Sequence, residues 1–258
     1  VLSADLVINL PKLKTHKKTG VTLALKNLVG INGDKNRLPH HSVGSTSDGG
    51  DEFPERKMID RLRSRLTEIA RPFLKRGIAT SVFRFYRRVE NVTRGKDFIR
   101  SGNWYGNRTT WRMCIDLNRC LYFSNAEGTF FNAKTPVRTV LTILDGIIAG
   151  EGEGPLAPLD VPLGAVLAAT DPVALDIVAV RLMGFDENKL PKIYEAMRAE
   201  TLRVTDVRSS SDVLIDEVSS EDFCSVEKNP DEIVCRHLFL PHCGWTHHIE
   251  RDCCGAKS

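Results

Sequence analysis

Residues 137–148 read VRTVLTILDGII. Valine, isoleucine, leucine and threonine dominate, a composition that suits a pleated surface buried on both sides, so the first part is expected to be a central strand. Upstream, residues 4–10 (ADLVINL) form an apolar run stopped by Pro11 and read as a second buried strand. Downstream, residues 164–169 (GAVLAA) read as a third. Helical patterns fall between them. Residues 21–28 (VTLALKNL) open after Gly20 and stop at Gly30, and residues 111–123 (WRMCIDLNRCLYF) are amphipathic. Asp171 and Pro172 give an N-cap and a first-turn proline to a helix that Gly184 ends. A short helix is expected at 190–199, and strands at 202–207 and 213–215. Apolar strands alternating with helices predict an α/β fold, with a largely parallel sheet covered by helices on both faces and long functional loops. Residues 1–223 are read as one domain and residues 224–258 as a His/Cys-rich tail.

The chain has 258 residues, 41% of them hydrophobic, enough to build a core without disulfides. A net charge of +3 does not point to nucleic acid, and no nucleic-acid-binding motif occurs. No run reaches the roughly 18 apolar residues of a membrane span. Walker A, GxGxxG, GxSxG and HExxH motifs are absent. Seven cysteines stand at 114, 120, 224, 235, 243, 253 and 254, without a CxxC pair. An odd number with this spacing argues against a disulfide scaffold, and no iron–sulfur cluster is expected. A reduced, cytoplasmic setting is the simplest reading. The chain opens at Val1 in sequence that is already strand-like, so an upstream portion is expected.

Three stretches carry a resemblance: ADLVINLPKLKTHKKTGVTLALKNLVG at 4–30, ILDGIIAGEGEGP at 143–155 and ATDPVALDIVAVRLMGF at 169–185. They resemble the family called domain of unknown function 362. GGDE at 49–52 and NWYGN at 103–107 resemble a branch found near polysaccharide-biosynthesis genes. The resemblance implies an α/β domain and no defined reaction. Some members carry an iron–sulfur module, whose cysteine pattern this chain lacks. A Lys/His pair before a glycine also has a remote likeness to nickel-pincer racemases.

In parallel sheets ligands sit beyond the carboxyl ends of the strands. Two expected strand ends carry unusual residues. In the first, Lys12, Lys14 and His16 alternate, so in an extended chain they share one face and suit a phosphate or carboxylate. Lys26 follows one helix later, and the Gly20 turn adds backbone N–H donors. Lys14 and His16 are the catalytic candidates here, and Lys12, Lys26 and His40 the substrate-binding ones. The second end holds Asp145, Glu151 and Glu153, with Asp171 and Asp176 nearby in sequence. Glu151 and Glu153, among glycines, are candidate acid–base groups. With Asp145 and Asp171 they are candidate ligands for a divalent metal, Mg²⁺ or Mn²⁺. Structural roles compete: a helix cap for Asp171, a plain turn for Asp145, and for Asp176 a place on the following helix where it caps nothing and touches nothing.

His40 and His41 lie in a long loop over 31–51, either a lid closing on the site or an exposed connection. The tail gathers His237, His242, Cys243, His247, His248, Cys253 and Cys254, which are zinc-type ligands at no standard finger spacing. Packing of Trp245 on the domain is the competing reading. Residues 73–88 interleave aromatics with arginine, which suits either contact with an anionic membrane surface or inward packing with snorkelling arginines. Two functions follow. One is an enzyme acting on a small anionic or phosphorylated, sugar- or lipid-linked substrate, assisted by a metal. The other is a non-catalytic accessory protein of an envelope-polysaccharide pathway.

Overall fold

The apolar stretch beginning at residue 137 becomes the axis of the sheet. The structure, a computed structural model, describes residues 1–34, 37–55, 101–131, 135–218 and 225–252, with isolated positions from 65 to 99. β1 (Leu6–Asn9) and β2 (Lys12–His16) lie end to end along one edge of the 13-residue strand β4 (Thr139–Glu151), both parallel to it. Pro11 interrupts that line because it has no N–H to give, yet its carbonyl still accepts from the Asp145 N–H at 2.9 Å. Along the other edge run β6 (Ala165–Ala169) and β5 (Leu159–Val161), both antiparallel. β3 (Gly20–Val21) folds back on β2. The fold is α/β, as expected, around a mixed sheet.

Four helices, numbered in chain order among the described residues, pack on it: α1 (Leu23–Asn27), α2 (Thr110–Phe123), α3 (Pro172–Leu182) and α4 (Pro191–Arg198). α3 starts as its sequence dictates. Asp171 Oδ1 accepts from the N–H groups of Val173 and Ala174 at 2.8 and 2.9 Å, and Pro172 fills the first turn. Alternation along β4 buries Val140, Thr142 and Leu144. The two leucine and valine side chains join Leu13, Leu25, Leu121, Phe123 and Ile177 in one core. Each large apolar side chain fully buried there stabilises the fold by about 1.5–3 kcal/mol. On the opposite face Leu6, Ile8, Ile147 and Val166 are exposed among the described residues.

Three expectations change. Residues 202–207 form no strand: Leu202 has a positive φ of 48°, and the Thr205 hydroxyl and oxygen bond to Asp171 and the Val207 N–H, a local turn in place of pairing. Strand structure near 213–215 begins only at Ile215, where β7 (Ile215–Val218) pairs antiparallel with β8 (Ser225–Lys228) in a separate two-stranded sheet. The basic run from Lys12 is itself a strand. The aromatic–basic segment 73–88 lies largely outside the described residues.

Candidate functional site

The carboxyl ends of β2 and β4 meet at one corner of the sheet. Lys14 stands opposite Gly150, and its Nζ donates to the Pro155 carbonyl at 3.3 Å. The Thr15 hydroxyl donates to Gly152 O at 3.0 Å, and the Lys17 N–H to Gly154 O at 3.1 Å. Gly154 allows this approach, since a Cβ there would lie 2.0 Å from Thr15 O. The structure thus brings the basic strand end and the glycine-rich acidic loop together.

His16 ends β2 and is only 4% exposed. Its Nδ1 accepts from the Lys18 N–H at 3.1 Å and lies 3.2 Å from the Thr19 hydroxyl. Nδ1 being an acceptor, Nε2 carries the ring proton. Nε2 makes no hydrogen bond to any described residue. Burial first, then the charges of Lys26, Lys192, Lys17 and Lys18, hold this imidazole well below its ordinary pKa, and no carboxylate offsets them. The ring is neutral at pH 7 in a field of four lysines.

The loop carrying His40 folds over the same region. Its backbone carbonyl accepts from Asn107 Nδ2 at 2.9 Å, Thr110 Oγ1 at 2.7 Å and Lys18 Nζ at 3.4 Å. Its ring Nδ1 is 2.8 Å from Leu38 O, so Nδ1 bears the proton and Nε2 is the acceptor. Burial lowers the His40 pKa, and Lys18 and Lys26 lower it further against the bond to Leu38. Lys18 bridges the two histidines: its N–H reaches His16, and its ammonium reaches the His40 and Ser101 carbonyls. Burial and then Lys17 bring that ammonium down to about 8, against the pull of Asp51 and Glu52.

The loop is held by Asp51. This buried carboxylate accepts from Ser42 N at 2.6 Å and from Arg108 N, Thr109 N and Thr109 Oγ1, each at 2.7 Å. Two of those donors are backbone N–H groups just before α2, where a negative charge is favoured. Beneath the site, Lys192 of α4 donates to Asp176 Oδ2 at 2.9 Å and to Thr22 O at 2.7 Å. Asp176 also receives the N–H groups of Ala24 and Leu25 at the start of α1, at 2.7 and 3.4 Å. A lysine and an aspartate sixteen residues apart thereby fix the helix that presents Lys26.

The remaining candidates go elsewhere. Lys12 pairs with Asp145 at 2.7 Å on the exposed face, where the Lys12 charge and the Ile147 N–H lower the Asp145 pKa. Lys12 and Lys14 flank the buried Leu13 as alternation predicts, but the row breaks at the strand end, where Thr15 and His16 are both buried. Lys12 is four strand residues from His16, about 13 Å. Asp171 caps α3 and accepts from the Thr205 hydroxyl at 2.6 Å. Since Ala169 stands opposite Thr142, Asp171 and Glu151 are about 30 Å apart along the sheet. The four carboxylates Asp145, Glu151, Glu153 and Asp171 are not gathered around one point.

Glu151 and Glu153 face the tail. Glu151 Oε2 accepts from Leu240 N and contacts His237 Nε2, both at 2.9 Å, and Glu153 Oε2 lies 3.4 Å from His242 Nε2. Trp245, 1% exposed, donates its indole N–H to Lys17 O at 2.9 Å and packs on Gly20. The tail therefore closes over the turn that follows His16. Lys18, Asp51 and Lys192 are site residues that sequence reasoning missed. Asp51 sits in the quoted GGDE stretch, but nothing in the spacing of Lys192 signals a buried partner.

The family profile for the domain of unknown function 362 matches residues 1–181. No curated protein and no solved structure matches the chain. Among the described residues no helix is long and apolar enough to cross a membrane. With more than half of its length matched, the chain belongs to the family named for the domain of unknown function 362.

Proposed function

We propose that this protein is an enzyme acting on a small anionic substrate of the phosphate or carboxylate class, free or linked to a sugar or lipid, held at His16, Lys26 and His40. The observation that carries the reading is the unpartnered Nε2–H of a nearly buried, neutral His16 in the field of four lysines. An anionic oxygen accepts from that N–H and offsets the charges that depress the ring. Its arrival raises the imidazole toward the range where it transfers protons at neutral pH. His40, with its acceptor nitrogen outward from Leu38, supplies the complementary tautomer. One ring then donates and the other accepts, the pairing that acid–base chemistry needs.

The test is calorimetric titration of the full chain with inorganic phosphate and pyrophosphate. We expect binding that weakens at least tenfold in His16→Asn and in Lys26→Met, with circular dichroism unchanged. Absence of binding at millimolar anion, or equal binding by both variants, overturns the reading. Incubation with sugar phosphates and lipid-linked phosphates then separates an enzyme from a binding module: turnover must depend on His16.

A further inference from the structure

The donors that close over the acidic loop are of three kinds, and they converge. One ligand atom each from Glu153, His242 and Cys243 lies within 4.8 Å of the other two. Cys243 Sγ is 3.6 Å from His242 Nδ1, and Nε2 of the same ring is 3.4 Å from Glu153 Oε2. We propose that these residues bind a borderline-soft divalent cation of the zinc class, seated between the Cys243 sulfur and the His242 ring.

Bonds of about 2.3 Å to sulfur and about 2.0 Å to nitrogen in a tetrahedral shell put the two ligand atoms roughly 3.6 Å apart. Sγ and Nδ1 already have that spacing. An ion there takes the place of the Gly244 N–H, which donates to Nδ1 at 3.1 Å. The ring proton then sits on Nε2, facing the Glu153 carboxylate, the second-sphere contact that orients a metal-bound imidazole. Glu153 thus supports the ion through the ring, without ligating it, and water or substrate completes the shell, as in catalytic zinc sites.

Donor type sets the metal. Mg²⁺ and Mn²⁺ take hard oxygen ligands, whereas a thiolate with an imidazole selects zinc-like ions. The scaffold is rigid around the donors. His242 is buried, Trp245 is sealed against Gly20, and the loop bearing Glu153 is tied to the tail by Gly152 N to Leu240 O at 2.7 Å. Glu153 is half exposed, which leaves a path for the ion.

Titration of the full chain with Co²⁺, without phosphate, tests the site apart from the anion reading. We expect one equivalent to bind, with sulfur-to-cobalt charge-transfer absorption in the near ultraviolet and displacement by Zn²⁺. Cys243→Ser abolishes that band, and Glu153→Gln, at a solvent-facing position, weakens binding at least fivefold while the chain stays folded. No stoichiometric Co²⁺, or a band that survives Cys243→Ser unchanged, overturns the proposal. Neither result bears on whether phosphate binds at His16.

Discussion

Lys192 Nζ lies 2.9 Å from Asp176 Oδ2 with both side chains fully buried. Buried ions remain charged only when each is matched, and here backbone groups complete the match: Thr22 O for the lysine, the Ala24 and Leu25 N–H groups for the aspartate. Removing one partner strands the other. Lys192→Met is expected to cost about 3–5 kcal/mol in urea unfolding. The double variant Asp176→Asn, Lys192→Met should be more stable than Lys192→Met alone, because no unpaired charge remains. A double variant less stable than the single one would show that the charge pair is not what holds α1 to α3.

The histidine at the end of β2 makes stability depend on pH. Its folded pKa is well below that of the unfolded chain, so the unfolded chain binds the proton more readily. Stability is full above about 6.5 and falls as the pH drops below it, by at most about 1.4 kcal/mol per unit for this group, until the folded value is reached. Urea midpoints at pH 7.5 and 5.5 should differ in the parent and differ less in His16→Asn. Equal pH dependence in the two chains would place the titrating group elsewhere.

Cys114 of α2 is fully buried, and burial pushes its thiol up to about 11 although Lys26 and Lys192 draw it down. At pH 8 almost no thiolate forms, and the sulfur is out of contact with water. Iodoacetamide at pH 8 should leave Cys114 unmodified in the native chain and label it in urea, as read by peptide mass spectrometry. Native labelling within minutes would contradict the packing of α2 on α1.

Asp51 gathers three backbone N–H groups and one hydroxyl around a buried carboxylate. Asp51→Ala leaves those donors without a partner and is expected to destabilise by about 3 kcal/mol or more, since each orphaned buried group costs about 1–3 kcal/mol. Asp51→Asn keeps one acceptor oxygen and should lose less. Thermal unfolding ranks the three chains, and an alanine variant as stable as the parent would refute the role.

Local chemistry was legible in the sequence wherever neighbours along the chain decide it. Asp171 and Pro172 start α3 because a side-chain oxygen two and three residues before free N–H groups caps them in any context. The β-branched stretch at 137 is the central strand because that composition fits a pleated sheet. The joining of the two strand ends does not follow that logic, since Lys14 reaches the Pro155 carbonyl across 141 residues. Where the carboxylates point was not legible, because a one-residue shift in register moves a side chain to the other face. Lys12 pairs with Asp145 on the exposed face, while the end of the same strand buries Thr15 and His16 together. Only the tertiary structure pairs Glu151 and Glu153 with the tail, and only it sets Lys192 on Asp176. Contacts across 16 residues or more depend on how helices and strands pack, and no spacing along the chain encodes that distance.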